Sequence, residues 1–312
     1  MIHSRHKFRV AMLALLALVP GASLTVAGLK VVATTPDYAA LAQAIGGDEI
    51  SVKTLAKPAE DPHFVDARPS HVVTLNRADV LIESGADLEI GWLPPLIQGS
   101  RNRKVLPGEP GRFLGSGDVR LLDVPTELDR SRGDVHARGN PHFLMNPENS
   151  GIVARRLAER FCELDADSCP VYRANLTRFN ERLEQKILAW TGRLAPHSGA
   201  KIVTYHNTWK YFAERFDLRS ETFLEPKPGI PPSPPHLGKV IAKMKAEKIR
   251  VILVEPFQSR KTAQTIAGHT GASVVDVCQF PGGIKGTDDD YFALIDAVVD
   301  AIAAALDQAA AP

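Results

Sequence analysis

The sequence predicts an α/β fold in which two parallel-sheet lobes are joined by one long, rigid helix. Two observations lead to this prediction. Short apolar strands alternate with helical segments in both halves of the chain, as in parallel sheets that helices cover on both faces. One long amphipathic stretch separates the two alternating regions, so we expect a ligand site in the cleft between the lobes.

The length and composition of the chain agree with two domains. Its 312 residues, 44% of them hydrophobic, can bury a large core. We predict a signal peptide at residues 1–27, an N-terminal lobe at 28–169, a connecting helix at 170–195 and a C-terminal lobe at 196–312. The 37 basic and 36 acidic residues nearly balance, which argues against a protein that binds nucleic acid.

The first 27 residues have the pattern of a secretory signal peptide. Basic residues up to Arg9 precede the apolar run Val10–Val19, and the small residues Thr25 and Ala27 fit a cleavage site. A membrane-spanning helix would need about 20 apolar residues. No cysteine lies near the cleavage point, so we expect a soluble periplasmic protein without a lipid anchor.

The N-terminal lobe is predicted from short apolar runs that are separated by helical patterns. The predicted strands are Leu29–Ala33, Val52–Leu55 and Val80–Glu83, and the predicted helices are Tyr38–Ile45 and a helix that begins at Pro69 and ends at Asn76. The stretch 107–140 is rich in glycine, aspartate and arginine, and we predict no regular element there.

A single apolar stripe predicts the connecting helix. The stripe consists of Tyr172, Leu176, Phe179, Leu183, Ile187 and Trp190. Their spacing of three and four residues places them on one face of about five helical turns, and Gly192 is the predicted end. Because no strand lies nearby in sequence, we expect this helix to bridge the two lobes.

Strands and helices alternate again in the C-terminal lobe. The predicted strands are Lys201–Tyr205, Val251–Glu255 and Ser273–Val277. The predicted helices are Thr208–Phe216, Leu237–Lys245, Thr262–His269 and Tyr291–Leu306.

The cysteines agree with an exported protein. Cys162 and Cys169 lie seven positions apart between two predicted helices and could form a local disulfide in an oxidising compartment. Two ordinary thiols are the alternative. Cys278 has no evident partner, and a cysteine-based zinc site is not expected because the chain has no Cys-x-x-Cys pair.

Three histidines lie where predicted strands give way to helices. They end the segments Asp61–His63, Asn140–His142 and Val203–His206. Ligands of open parallel sheets bind beyond the carboxyl ends of the strands, and neutral imidazoles are suitable ligands for zinc. We therefore predict that His63, His142 and His206 meet in the cleft between the lobes and bind a transition metal.

Two further residues have an ordinary structural interpretation beside a functional one. Glu255 ends a predicted strand and could ligate a metal, but it could instead pair with Arg260 or Lys261. His136 lies six residues before His142 in a stretch without predicted structure, and we expect it to be a surface histidine.

The histidine segments resemble those of a known family, the cluster A-I substrate-binding proteins of zinc and manganese ABC importers (periplasmic solute-binding protein family 9). The resemblance extends from about Leu29 to Leu306. The segments that carry it are Asp61–Phe64 with Arg68–Ser70, Asn140–Leu144 with Asn146 and Pro147, Tyr205–Asn207 with Tyr211 and Phe212, and Val254–Pro256 with the following helix. It implies two α/β lobes, a rigid connecting helix and a metal held between the lobes by His63, His142 and His206.

The fourth ligand is the point at which this chain departs from the family. Family members usually place an aspartate in the loop after the strand that matches Ser273–Val277, and this position falls near Gln279 here. An amide is a poor zinc ligand beside a carboxylate. The fourth ligand is therefore open among Glu255, Asp276, Gln279 and water.

The resemblance implies an extracytoplasmic protein that captures a divalent metal and delivers it to the membrane permease of an ABC importer, and we expect it to act as a monomer. Three neutral histidines favour Zn²⁺, with Cu²⁺ or Ni²⁺ as alternatives, over Mn²⁺, which prefers oxygen ligands. The competing hypothesis is a zinc-dependent hydrolase with an open coordination position and Glu255 as general base. A protein that binds an organic solute is a third possibility, but an aromatic content of 6% gives it little support.

Overall fold

A computed structural model describes residues 28–126, 136–227, 229–288 and 290–310 of the chain. The predicted signal peptide, residues 1–27, lies outside these ranges. Two parallel sheets with helices packed around them form the described part, as the sequence predicts.

The first sheet contains four parallel strands in the order β2-β1-β3-β4. The strands are β1 (Leu29–Ala33), β2 (Ile50–Thr54), β3 (Val80–Glu83) and β4 (Arg112–Leu114). Val31 of β1 is in register with Val52 on one side and Val80 on the other. The bounds of β1 and β3 are those predicted, because both are short, mainly apolar runs in the centre of the sheet. The short edge strand β4 was not predicted, since three residues carry no recognisable period.

The second sheet also has four parallel strands, in the order β6-β5-β7-β8. The strands are β5 (Lys201–Thr204), β6 (Arg219–Phe223), β7 (Val251–Val254) and β8 (Ser273–Asp276). Chain order and strand position are therefore related in the same way in both sheets. The edge strand β6 was not predicted, because its exposed and buried positions alternate, its buried positions hold Ser220 and Thr222, and it contains no apolar run.

Nine α-helices lie in the described part of the chain. They are α1 (Pro36–Gly46), α2 (Pro69–Asn76), α3 (Leu93–Ser100), α4 (Pro147–Leu164), α5 (Cys169–Leu194), α6 (Lys210–Arg215), α7 (Pro234–Ala246), α8 (Arg260–Thr270) and α9 (Tyr291–Ala310). A proline begins or follows the start of many of them, where a missing N–H group costs no hydrogen bond. None of these helices is long and apolar enough to cross a membrane.

Helix α5 is the predicted connecting helix, and it packs against both lobes. Tyr172 packs on Phe161 of α4, with ring centroids 5.5 Å apart, and Phe179 packs on Phe292 of α9 at 5.0 Å. Lys186 forms an ion pair with Asp296 of α9. The predicted end at Gly192 is wrong, because the helix continues to Leu194. One glycine lowers helix stability but does not end a helix whose apolar face is packed.

A disulfide joins Cys162 in α4 to Cys169, the first residue of α5. This confirms the local pairing and excludes the alternative of two ordinary thiols. Cys278 is free and buried. The disulfide closes the short turn between α4 and α5, which limits how far the start of α5 can move away from α4.

Candidate metal centre

Two turns of the same kind position the first two predicted histidines. The Asp61 carboxylate accepts a hydrogen bond from the main-chain N–H of His63 at 3.0 Å, and the Asn140 amide oxygen accepts one from the main-chain N–H of His142 at 3.0 Å. Aspartate and asparagine form such turns with the residue two positions on, and the intervening proline restricts the backbone further. Each Asx-Pro-His motif therefore holds its histidine by a local turn.

The third histidine lies directly after the central strand β5. The Thr204 hydroxyl donates a hydrogen bond to the main-chain carbonyl of His206 at 2.7 Å. His206 thus leaves the carboxyl end of β5, at the edge of the sheet where ligands of parallel sheets bind.

The structure brings these three histidines together between the lobes. Their ring centroids are 5.2 Å apart for His63 and His142, 5.3 Å for His63 and His206, and 5.5 Å for His142 and His206. One ring nitrogen of each lies within 4.8 Å of the others. Among the described residues, no other group of three or more histidine, cysteine or acidic side chains meets this condition.

A side-chain oxygen lies within hydrogen-bonding distance of Nδ1 in each of the three rings. The pairs are His63 with Asp61 at 2.8 Å, His142 with Gln279 at 3.0 Å and His206 with Glu225 at 2.9 Å. Because these oxygens are acceptors, the proton of the neutral imidazole lies on Nδ1, and Nε2 keeps a lone pair. This is the usual arrangement around metal-binding histidines.

His142 shows most clearly that a cation fits here. Its Nε2 atom is buried and has no hydrogen-bond partner in the described part of the chain. Burial, and then the charges of His63, His206 and His136, hold the pKa of His142 well below its ordinary value. The ring is therefore neutral at physiological pH. A buried, neutral nitrogen without a partner is costly unless it binds something, and a metal ion would satisfy it.

Glu255 is buried beside the cleft, but its environment differs from the one suggested by the sequence. Its carboxylate accepts hydrogen bonds from Thr208 at 3.0 Å and Gln258 at 3.1 Å. The alternative in which Arg260 pairs with Glu255 is wrong, since Arg260 forms two hydrogen bonds with Asp276. Burial raises the pKa of Glu255 to about 8.

The other two candidates for a fourth ligand lie in different surroundings. Asp276 ends β8 with its side chain 66% exposed and paired with Arg260. Gln279 is buried, and its amide oxygen lies 3.0 Å from His142 Nδ1. Gln279 thus contacts the Nδ1 side of His142, whereas the carboxylate of Asp276 forms an ion pair with Arg260 at the surface.

His136 is not the surface histidine that the sequence suggested. Its ring stacks on His63 with centroids 5.3 Å apart, and the two Nε2 atoms are 3.3 Å apart. Burial, followed by the charges of His63 and His206, lowers its pKa to about 3. A spacing of six residues from His142 matches no helical or strand period, so only the folded chain shows that His136 reaches the cluster.

A cleft of about 340 Å³ opens beside the histidines. Residues of both lobes line it, among them His63, His206, Glu225, Phe257 and Gln279. The cluster is therefore accessible from solvent through a space that holds several water molecules or a hydrated ion.

A sequence model of one protein family matches most of the chain. The family is described as "ZnuA: Zinc-uptake complex component A periplasmic", and the match covers residues 31–305. Among curated proteins, the manganese ABC transporter substrate-binding lipoprotein scaA of Streptococcus gordonii is 25% identical over 286 residues, which is 89% of each chain. The iron ABC transporter substrate-binding lipoprotein MtsA of Streptococcus pyogenes serotype M1 is also 25% identical, with the same coverage.

Solved structures share the fold. A crystal structure of ZnuA is 24% identical and covers 89% of this chain and 99% of that chain, with a TM-score of 0.74. The Mn-bound periplasmic metal binding protein from Candidatus Liberibacter asiaticus is 22% identical, with the same coverage and a TM-score of 0.73. These similarities confirm two parallel-sheet lobes with a long connecting helix.

Proposed function

The chain belongs to the family of the periplasmic component A of zinc-uptake complexes, and from this premise we propose that it captures Zn²⁺ with His63, His142 and His206. It is a substrate-binding protein of a metal ABC transporter and not an enzyme. The single observation that carries the proposal is that three Nε2 lone pairs converge while an oxygen holds each Nδ1.

The chemistry of the ligands supports zinc over manganese. Imidazole is a good ligand for zinc, copper and nickel, whereas manganese prefers carboxylate and other oxygen ligands. The group of three contains no carboxylate. Asp61 and Glu225 contact the Nδ1 atoms of His63 and His206, on the opposite side of each ring from Nε2. Two relatives are named for manganese and for iron, so the proposed preference for Zn²⁺ rests on the residues of this chain.

We extend the proposal to compartment and partner. The protein would act outside the cytoplasmic membrane and deliver the metal to the permease of an ABC importer. The printed names of relatives, which are substrate-binding lipoproteins of metal ABC transporters, support this role. We also propose that residues 28–169 form the N-terminal lobe, 170–195 the connecting helix and 196–312 the C-terminal lobe. The packing of α5 on both lobes supports a rigid connection between them.

The hydrolase hypothesis has no support. Its general base would be Glu255, and the hydrogen bonds from Thr208 and Gln258 both end on Oε2 of that carboxylate, so they do not assign it a catalytic role. The family to which the chain belongs binds substrates for transport.

Isothermal titration of the mature protein with ZnCl₂ at pH 7 tests the proposal. We expect one high-affinity site in the parent protein and its loss in His142→Ala, with the exposed His269→Ala as a matched control that binds normally. A parent protein that does not bind Zn²⁺, or a His142→Ala variant that binds it unchanged, would contradict the proposal.

A further inference from the structure

We propose that His136 is the fourth ligand of the bound metal, in a chain that has Gln279 where the family usually has an aspartate. This inference rests on the proposed zinc site and identifies a ligand that completes it. The arguments are the distance from His136 to His63, the direction in which Nε2 of His136 points, and the charges around the cluster.

The distance between His136 and His63 is the distance expected for two ligands of one zinc ion. Bonds of about 2.0–2.1 Å in tetrahedral geometry place neighbouring nitrogens roughly 3.3–3.4 Å apart. The Nε2 atoms of His136 and His63 are 3.3 Å apart. The three-histidine group is looser, with ligand atoms up to 4.8 Å apart, and would contract on binding.

The His136 ring directs its Nε2 atom at Nε2 of His63. A neutral ring with its proton on Nδ1 has a lone pair on Nε2. Two lone pairs that face each other at this distance repel unless a proton or a cation lies between them. A metal ion bound by both nitrogens would remove this repulsion.

The surrounding charges suit four neutral ligands. A divalent ion with four imidazoles keeps its charge of two, and the carboxylates of Asp61 and Glu225 hydrogen-bond two of the ligands and can balance it. Gln279 stands where the family usually has an aspartate. Its amide carries no negative charge, and its oxygen contacts His142 Nδ1. Four nitrogen ligands would select zinc, copper or nickel more strongly against manganese than three nitrogens with a carboxylate.

Zinc affinity and ligand counting test the inference together. Zn²⁺ affinity would be measured by chelator competition for the parent, His136→Ala, His136→Gln and the control His269→Ala. We expect both His136 variants to lose about 10–100-fold in Zn²⁺ affinity, because the loss of a residue that only hydrogen-bonds a metal ligand already lowers affinity by that amount. X-ray absorption of the zinc-loaded proteins should count four imidazoles in the parent and three in the variants.

The outcomes separate this inference from the proposed function. If the parent binds Zn²⁺ through three imidazoles, and the His136 variants match it in affinity and spectrum, then His136 is not a ligand and the proposed function stands. If the parent does not bind Zn²⁺, the proposed function fails as well. Thermal unfolding of the metal-free variants, compared with the parent, verifies that a lost affinity does not come from lost folding.

Discussion

The two lobes have the same strand order, yet they position the metal centre by different means. In the N-terminal lobe, His63 and His142 are held by turns whose partners, Asp61 and Asn140, lie two residues away. In the C-terminal lobe, His206 Nδ1 contacts the carboxylate of Glu225. Glu225 is nineteen residues later in the chain, two residues after the end of β6. One lobe thus positions its ligands by local sequence, and the other by the packing of its sheet.

The C-terminal lobe also supports a ligand that is not its own. Gln279 follows β8 and contacts His142 across the cleft, at a separation of 137 residues. The ring of His142 is therefore oriented only when the lobes are together. Two lobes with the same topology therefore have different roles at the metal centre. The first lobe supplies His63 and His142. The second supplies His206 and also contacts the Nδ1 atoms of His206 and His142, through Glu225 and Gln279.

The largest effect should distinguish local from remote support. Asp61→Ala removes both the turn and the acceptor for His63 Nδ1, so we expect Zn²⁺ affinity to fall by about 100-fold. Glu225→Ala removes only the acceptor for His206 Nδ1, and we expect a loss of about tenfold. Chelator competition measures both, with the exposed Asp48→Ala as control. Equal losses would show that the Asp61 turn adds nothing to the position of His63.

A smaller change in metal affinity should result from a carboxylate at position 279, where the family usually has an aspartate. Gln279→Asp places a negatively charged carboxylate near the cluster and shortens the side chain that contacts His142. We expect the ratio of Mn²⁺ to Zn²⁺ affinity to rise about tenfold, because manganese favours oxygen. Titration with each metal separately measures the ratio, and Gln264→Asp, on the exposed face of α8, serves as the control. An unchanged ratio would mean that position 279 does not determine metal preference.

The smallest effect concerns a buried carboxyl of the N-terminal lobe. Burial, together with the charge of Glu83, raises the pKa of Glu89 to about 8, although Thr34 and the main chain of Ser84 hydrogen-bond it. The folded protein therefore retains this proton between about pH 4.5 and 8, where the unfolded chain has lost it. The contribution to stability is full below about pH 4.5 and decreases as the pH rises to about 8.

Glu89→Gln mimics the protonated form at every pH. Relative to the parent, we expect the variant to gain about 1 kcal/mol or more in free energy of unfolding at pH 9, and to change little at pH 4.5. Urea denaturation of the metal-free proteins at both pH values measures the difference, with Glu184→Gln on the exposed face of α5 as control. A gain that does not depend on pH would contradict the raised pKa.

Much of the fold could be predicted, because its central elements are local patterns. The strands β1 and β3 and the helix α2 have the predicted bounds, since each strand is a short, mainly apolar run and the helix begins at a proline. The edge strands β4 and β6 were missed because backbone pairing with a neighbour, and not their own composition, makes them strands. Gly192 was interpreted as a helix end because its sequence context does not show the packing that keeps α5 helical.

The sequence by itself determined the parts of the centre whose partners are neighbours in the chain. The Asx-Pro-His motifs of His63 and His142 and the strand-end position of His206 could be recognised because a turn or a strand end needs only a few residues. Only the tertiary structure decided what surrounds them. The approach of His136 to His63 and the contact of Gln279 with His142 join residues 73 and 137 positions apart, and such contacts exist only after two separately formed sheets have packed on the same long helix.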